Sequence, residues 1–180
     1  MFRKLKSKLV IILCLIFPVV LCSCGGNMTD QTVRDELERL LPLSYEMNEI
    51  FWGKGLEYQT LETNDRYMPV TEDCPYKTTQ EILDKASEVF SEEYIAIIKD
   101  AIFTDSEDID PRYIEVNGVL KADKTQEGFN IQGNIVIESA VVKKQNRTTV
   151  IVSAQYEDGV ETEIILALQN GKWYLNSPTY

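Results

Sequence analysis

Apolar residues recur every three or four positions over residues 30–52, at Val33, Leu37, Leu40, Leu41, Met47, Ile50 and Phe51. That spacing lays them along one face of a helix. Pro42 lies inside the run and lacks an amide hydrogen, so it is expected to kink this helix or split it in two. Gly53 and Gly55 follow as terminators. Residues 54–77 hold no sustained period and read as a long structured loop, with a short strand near 56–61. Thr78-Thr79-Gln80-Glu81 has the spacing of a capping box, and Ile82, Leu83, Ala86 and Val89 supply the buried stripe of a second helix. Ser91 opens a third helix through Phe103, burying Ile95, Ile98 and Ile102. The acidic run 105–110 ends it and Pro111 closes the segment.

Beyond residue 112 the period falls to two. Residues 113–116 and 119–122 flank Asn117-Gly118, a pair suited to the type I′ turn of a tight hairpin. A polar connection over 123–133 precedes four longer strands, near 134–144, 148–157, 160–168 and 172–177. Their turns are Gln145-Asn146-Arg147, Glu157-Asp158-Gly159 and Asn170-Gly171. Val150, Val152, Ala154 and Tyr156 fall on one side of their strand, and Thr149, Ser153 and Gln155 on the other, which suits an antiparallel meander with one covered face. Tight hairpins exclude an all-parallel sheet. Helices first and strands second predict an α+β domain whose three helices cover the sheet. The order resembles the nuclear-transport-factor-2-like (NTF2-like) or cystatin-like architecture, a cone in which three N-terminal helices pack into a curved antiparallel sheet.

The N-terminus carries a different signal. Arg3, Lys4, Lys6 and Lys8 precede an apolar stretch over 9–21, and Leu21-Cys22-Ser23-Cys24 then leads into Gly25, Gly26 and Asn27. The stretch is shorter than the ~20 residues needed to span hydrocarbon, so a retained transmembrane helix is the weaker reading. The pattern resembles the export signal and lipobox of bacterial lipoproteins. That resemblance implies cleavage between Ser23 and Cys24, a diacylglycerol thioether on Cys24, and a lipid anchor at the extracytoplasmic face of the cell membrane. A plain secretory signal and lipidation at Cys22 are the rival readings. The implied organisation is a signal peptide (1–23), a short tether (24–29) and a single domain (30–180). Acyl chains contribute about 0.8 kcal/mol per buried CH₂, so several on Cys24 would hold the domain durably at the surface.

Composition narrows the chemistry further. Without residues 1–23 the chain carries 14 Lys plus Arg against 29 Asp plus Glu, a formal charge of −15. Such a surface repels phosphate backbones, which argues against nucleic acid as a partner. There is no histidine. That removes Ser-His-Asp and Cys-His nucleophile systems, HExxH zinc hydrolysis and the commonest transition-metal ligand. Cys74 is the one thiol left outside the signal and lipobox, and beside Asp73 it lacks the cationic neighbour that stabilises a thiolate. No cofactor or metal is expected, and any enzymatic route would have to use a carboxylate pair.

Phe90-Ser91-Glu92-Glu93-Tyr94 and the downstream Tyr113-Ile114-Glu115-Val116-Asn117-Gly118-Val119-Leu120 resemble extracytoplasmic lipoproteins of Gram-positive bacteria, most of all the DL-endopeptidase inhibitor (IseA) family. Phe51-Trp52, Arg66-Tyr67, Asp123 and Trp173 extend the likeness over roughly residues 33–178. The resemblance implies a non-enzymatic protein that binds NlpC/P60-type peptidoglycan hydrolases and obstructs their catalytic cleft. The family's compact Asp-Gly-Gly-Ser-like turn is replaced here by Asp123 followed by Lys124-Thr125-Gln126-Glu127-Gly128. The alternative expectation is a small-ligand receptor with its pocket at the mouth of the cone.

Within the predicted domain, Tyr58, Arg66, Tyr67 and Asp123 are the candidate partner-binding residues, since aromatic and arginine side chains anchor interfaces. The tyrosines, Tyr76 included, could equally close the core with their hydroxyls wet. Trp52 and Trp173 read as core packing. Asp105, Glu107, Asp108 and Asp110 offer oxygen ligands for Ca²⁺, but an EF-hand loop needs glycine sixth and glutamate twelfth, where Asp110 and Val116 stand. Glu161 and Glu163, like Glu115, are spaced as solvated strand residues, and nothing apolar flanks them to raise a catalytic pKa.

Overall fold

The computed structural model describes residues 27–106, 110–129 and 133–180; the export signal, Ser23 and Cys24 lie outside them, as do Glu107 and Asp108. Helix α1 (Asp30–Phe51) starts where Thr29 Oγ1 accepts the Thr32 amide at 3.2 Å. It runs through Pro42 as one helix and does not split there. A proline in a helix interior costs about 3 kcal/mol. Pro42 sits on the exposed face, whereas Val33, Leu37, Leu40, Leu41 and Met47 on both sides of it are buried. At roughly 1.5–3 kcal/mol per buried side chain, that stripe outweighs the proline.

Helix α2 (Thr79–Ala86) begins with Thr78 Oγ1 accepting the Glu81 amide at 3.1 Å. The Glu81 carboxylate returns to the Lys77 amide at 2.6 Å, one residue before the cap, so the box closes slightly wider than the predicted form. Helix α3 (Glu92–Phe103) is capped by Ser91 Oγ, which accepts the Tyr94 amide at 3.1 Å.

The strands depart from the expected cone. They form two antiparallel sheets, not one curved sheet holding all three helices. The first contains β1 (Tyr67–Pro69), β2 (Tyr113–Val116) and β3 (Val119–Asp123) in the order β1-β3-β2. The second contains β4 (Ile135–Gln145), β5 (Thr149–Tyr156), β6 (Glu161–Gln169) and β7 (Lys172–Leu175) in sequence order. The expected strand at 56–61 is reduced to a single bridge between Tyr58 and Val70, while β1 arises in a stretch that reads as loop. That small strand decides the topology. With β1 on one side and β2 on the other, β3 has no free edge left for β4, and the second sheet must start afresh beyond the 124–134 connection. The molecule is therefore mixed α/β with helices within 30–103 and two sheets; the NTF2-like cone does not form.

Both tight turns carry the backbone that their Asn-Gly pairs favour: φ is 53° and 76° at Asn117-Gly118, and 51° and 77° at Asn170-Gly171. In β5, Val150, Val152, Ala154 and Tyr156 are buried and alternate with half-buried or exposed neighbours. Pairing Val152 with Ile164 and Val150 with Leu166 continues that face into β6. Val33, Leu37, Leu40 and Leu41 of α1 belong to the same apolar cluster.

Strand β4 shifts register between Val136 and Val141 and again between Val142 and Lys144. Irregular pairing leaves backbone groups off the ladder, and these find partners on α1. Arg34 Nε donates to the Ala140 carbonyl at 3.2 Å, and Asp30 Oδ1 accepts the Val142 amide at 2.8 Å. Ser139 Oγ accepts the Gln155 amide at 2.8 Å, repairing the strand side of the same gap. At the other edge, the Ser91 amide donates to the Leu175 carbonyl and the Leu175 amide to the Val89 carbonyl, both at 2.8 Å, so the α2–α3 connection covers β7.

Candidate functional site

The register that pairs Tyr67 with Asp123 sets Arg66 beside the end of β3. Arg66 Nε and Nη2 reach Asp123 Oδ2 at 2.8 and 2.7 Å, and Nη1 pairs with Asp110. The other Asp123 oxygen, Oδ1, accepts the Thr125 amide at 2.9 Å and the Thr125 hydroxyl at 2.7 Å. Burial acts to raise the Asp123 pKa, but the Arg66 and Thr125 donors overcome it and hold the carboxyl below its ordinary value. The same hydrogen bonds, Asp123 first and Asp110 second, push Arg66 further above its ordinary value.

Tyr67 lies beside this ion pair, its ring centroid 5.7 Å from the guanidinium carbon, and its hydroxyl donates to the Pro111 carbonyl at 2.8 Å. Burial, reinforced by the Asp123 charge, raises its pKa. Tyr58 is 39% exposed and bridges to Val70 just beyond β1. The four sequence-named residues thus gather along β1 and the end of β3, with Asp110 added from the acidic run.

A second set, which sequence reasoning did not single out, lies behind the first. Arg112 is 6% exposed, and its Nη2 donates to the Gly53 carbonyl at 2.5 Å. Tyr113 Oη donates to the Ile50 carbonyl at 2.7 Å and accepts the Leu56 amide at 3.0 Å. Together they fasten the turn after α1 to β2. Gly55 has φ 79°, and a Cβ there would stand 2.7 Å from Arg112 Nη2. Between this turn, the end of β3 and the 124–128 segment opens a cleft of about 330 Å³ lined by Lys54, Tyr58, Arg112, Asp123 and Lys124, among others. The available signal was a basic residue directly before a strand, just past the acidic run 105–110 and Pro111.

Other candidates are engaged elsewhere. Glu163 pairs with Lys143 on an exposed face. Glu115 accepts the Thr79 amide at 2.7 Å and its hydroxyl at 2.6 Å, and these donors lower its pKa. Cys74 is 7% exposed and unpaired, and Tyr76 is buried, its pKa pushed up to about 12 by burial and by Glu46. Trp52 and Trp173 pack against the core cluster, partly buried. Asp110 of the proposed Ca²⁺ set is committed to Arg66, and among the described residues no three His, Cys, Asp or Glu side chains are grouped to hold a metal ion. The receptor's expected position, a cone mouth, does not exist in this topology. Among the described residues, no helix is long and apolar enough to cross a membrane. No protein-family model matches the chain, and no curated protein matches it significantly.

Proposed function

We propose that this chain is a non-catalytic protein of the bacterial envelope, tethered at the extracytoplasmic membrane face through a lipid on Cys24. It restrains an NlpC/P60-type peptidoglycan endopeptidase by occupying the catalytic cleft. The observation that supports this reading is the Arg66 clamp. One guanidinium joined to two carboxylates fixes β1, the end of β3 and the 110–112 segment in a single arrangement. Tyr58, Tyr67 and the exposed part of Arg66 are thereby held ready before any partner arrives, which reduces the ordering cost of association.

Carboxylate chemistry has weaker support. A general acid at neutral pH needs its pKa raised toward the working pH. Asp123 and Glu115 are shifted the opposite way, by donors that keep them ionised. The experiment adds the full chain, held in neutral detergent micelles, to an NlpC/P60 hydrolase digesting purified wall material. The expected result is loss of cleavage at near-stoichiometric protein, relieved in Arg66→Lys and Tyr67→Ala. Undiminished cleavage at large excess removes the proposal.

A further inference from the structure

We propose that the cleft floored by Arg112 is a binding site for the free C-terminal carboxylate of a short, extended peptide, a role separate from hydrolase restraint. Burying an arginine is costly unless its charge is matched. The ion pairs among the described residues use Arg39, Arg66, Lys85 and Lys143, while the Arg112 guanidinium meets neutral partners among them, the Gly53 carbonyl and the Tyr113 hydroxyl. Arg112 nevertheless lines an open cleft, with Lys54 and Lys124 at its sides. In a chain of net charge −11, three cations around one opening form a local reversal of sign.

The local charge calls for an anion. Lys54, Arg112 and Lys124 line the cleft with Glu127, while Asp123 is already neutralised by Arg66. A planar carboxylate matches the fork of a guanidinium. Beside the cations, Leu56 and Tyr58 give the wall an apolar stretch, and Phe129, 71% exposed, follows Gly128 at the rim. These surfaces suit the small apolar residue next to the carboxylate. Gly55 preserves the site, because any side chain there would collide with the guanidinium.

The test titrates the ¹⁵N-labelled full chain, in dodecyl maltoside, with acetyl-Ala-Ala-Ala, with its C-terminal amide, and with inorganic phosphate. The expected result is saturable shifts of the Arg112 Nε–H and the Gly55 amide with the acid, and binding at least about tenfold weaker with the amide. Lys54→Gln combined with Lys124→Gln changes only exposed side chains, so the fold is retained, and it is expected to weaken the acid several-fold. Arg112→Lys, with folding checked by its amide spectrum, is expected to lose the fork and bind the acid at least about tenfold more weakly. Equal shifts with acid and amide, stronger binding of phosphate, or no saturable shift at these residues would each overturn the proposal. None of these outcomes depends on whether a hydrolase is inhibited.

Discussion

Arg66 brings Nε and Nη2 to a single oxygen of Asp123, Oδ2, at 2.8 and 2.7 Å, which frees Oδ1 for both donors of Thr125. The Asp123 side chain has 0% exposure, so these contacts replace its water entirely. Asp123→Asn keeps the shape but removes the charge and turns one acceptor into a donor facing other donors. We expect a loss of about 1–3 kcal/mol, read from the urea midpoint. Arg66→Lys keeps the charge without the fork, and its midpoint is expected to fall between those of Asp123→Asn and the native chain. Unchanged midpoints in both would show that the clamp does not stabilise the fold.

The acid limb of stability follows from the same carboxylate. Its folded pKa is depressed, so the unfolded chain binds the proton first as pH falls. The contribution is present above the unfolded value of about 4 and is lost as pH drops through the lower folded value. Urea midpoints measured downward from about pH 6 are therefore expected to fall steeply below about pH 4. In Asp123→Asn that slope becomes shallower while the neutral-pH loss remains. A parallel acid limb in the variant would assign the titration to other groups.

The helices were legible because each carried its own local signal: the α1 stripe, the Thr78 and Ser91 caps, and no competing period. The Asn117-Gly118 and Asn170-Gly171 turns were legible for the same reason, since few residue pairs tolerate two positive φ angles in succession. Sheet membership was not. Tyr67-Met68-Pro69 is three residues long, with a proline at its end, and its pairing with β3 is worth nothing until residues more than fifty positions away are in place. Without β1 the second edge of β3 stays open and a single sheet is the natural expectation. Arg66 and Asp123 could be named separately, but their union is a product of that register. Arg112 and Gly55 became visible only once the turn after α1 was packed on β2.

Gly55 and Gly118 have nearly the same backbone, φ 79° and 76°, in different surroundings. A Cβ at Gly118 meets nothing within 4 Å, whereas at Gly55 it stands 2.7 Å from Arg112 Nη2 and 2.9 Å from Tyr113 Oη. Gly118→Ala reports backbone strain alone, about 1 kcal/mol. Gly55→Ala adds displacement of a buried guanidinium and a doubly bonded hydroxyl, and is expected to cost about 2 kcal/mol more. Comparing the two by urea unfolding isolates the packing contribution. Equal costs would mean that Arg112 moves aside freely.

Tyr113 and Trp52 offer a contrast between a buried polar group with partners and one without. Tyr113 Oη serves the Ile50 carbonyl and the Leu56 amide, which close the chain after α1, whereas Trp52 Nε1 is buried with no partner among the described residues. Tyr113→Phe removes one oxygen and leaves two backbone groups unpaired in a site where burial already raises the phenol pKa. Unsatisfied buried groups cost about 1–3 kcal/mol, so the substitution is expected to destabilise by about that amount despite its nearly unchanged volume. The Leu56 amide is expected to exchange with solvent faster even where the global stability loss is restored by added osmolyte, because its own acceptor is gone. Trp52→Phe sacrifices no hydrogen bond, so its effect is confined to lost packing against the core cluster and against Tyr180, 5.7 Å away between ring centroids. An unchanged Leu56 exchange rate in Tyr113→Phe would mean that water takes over the hydroxyl's role.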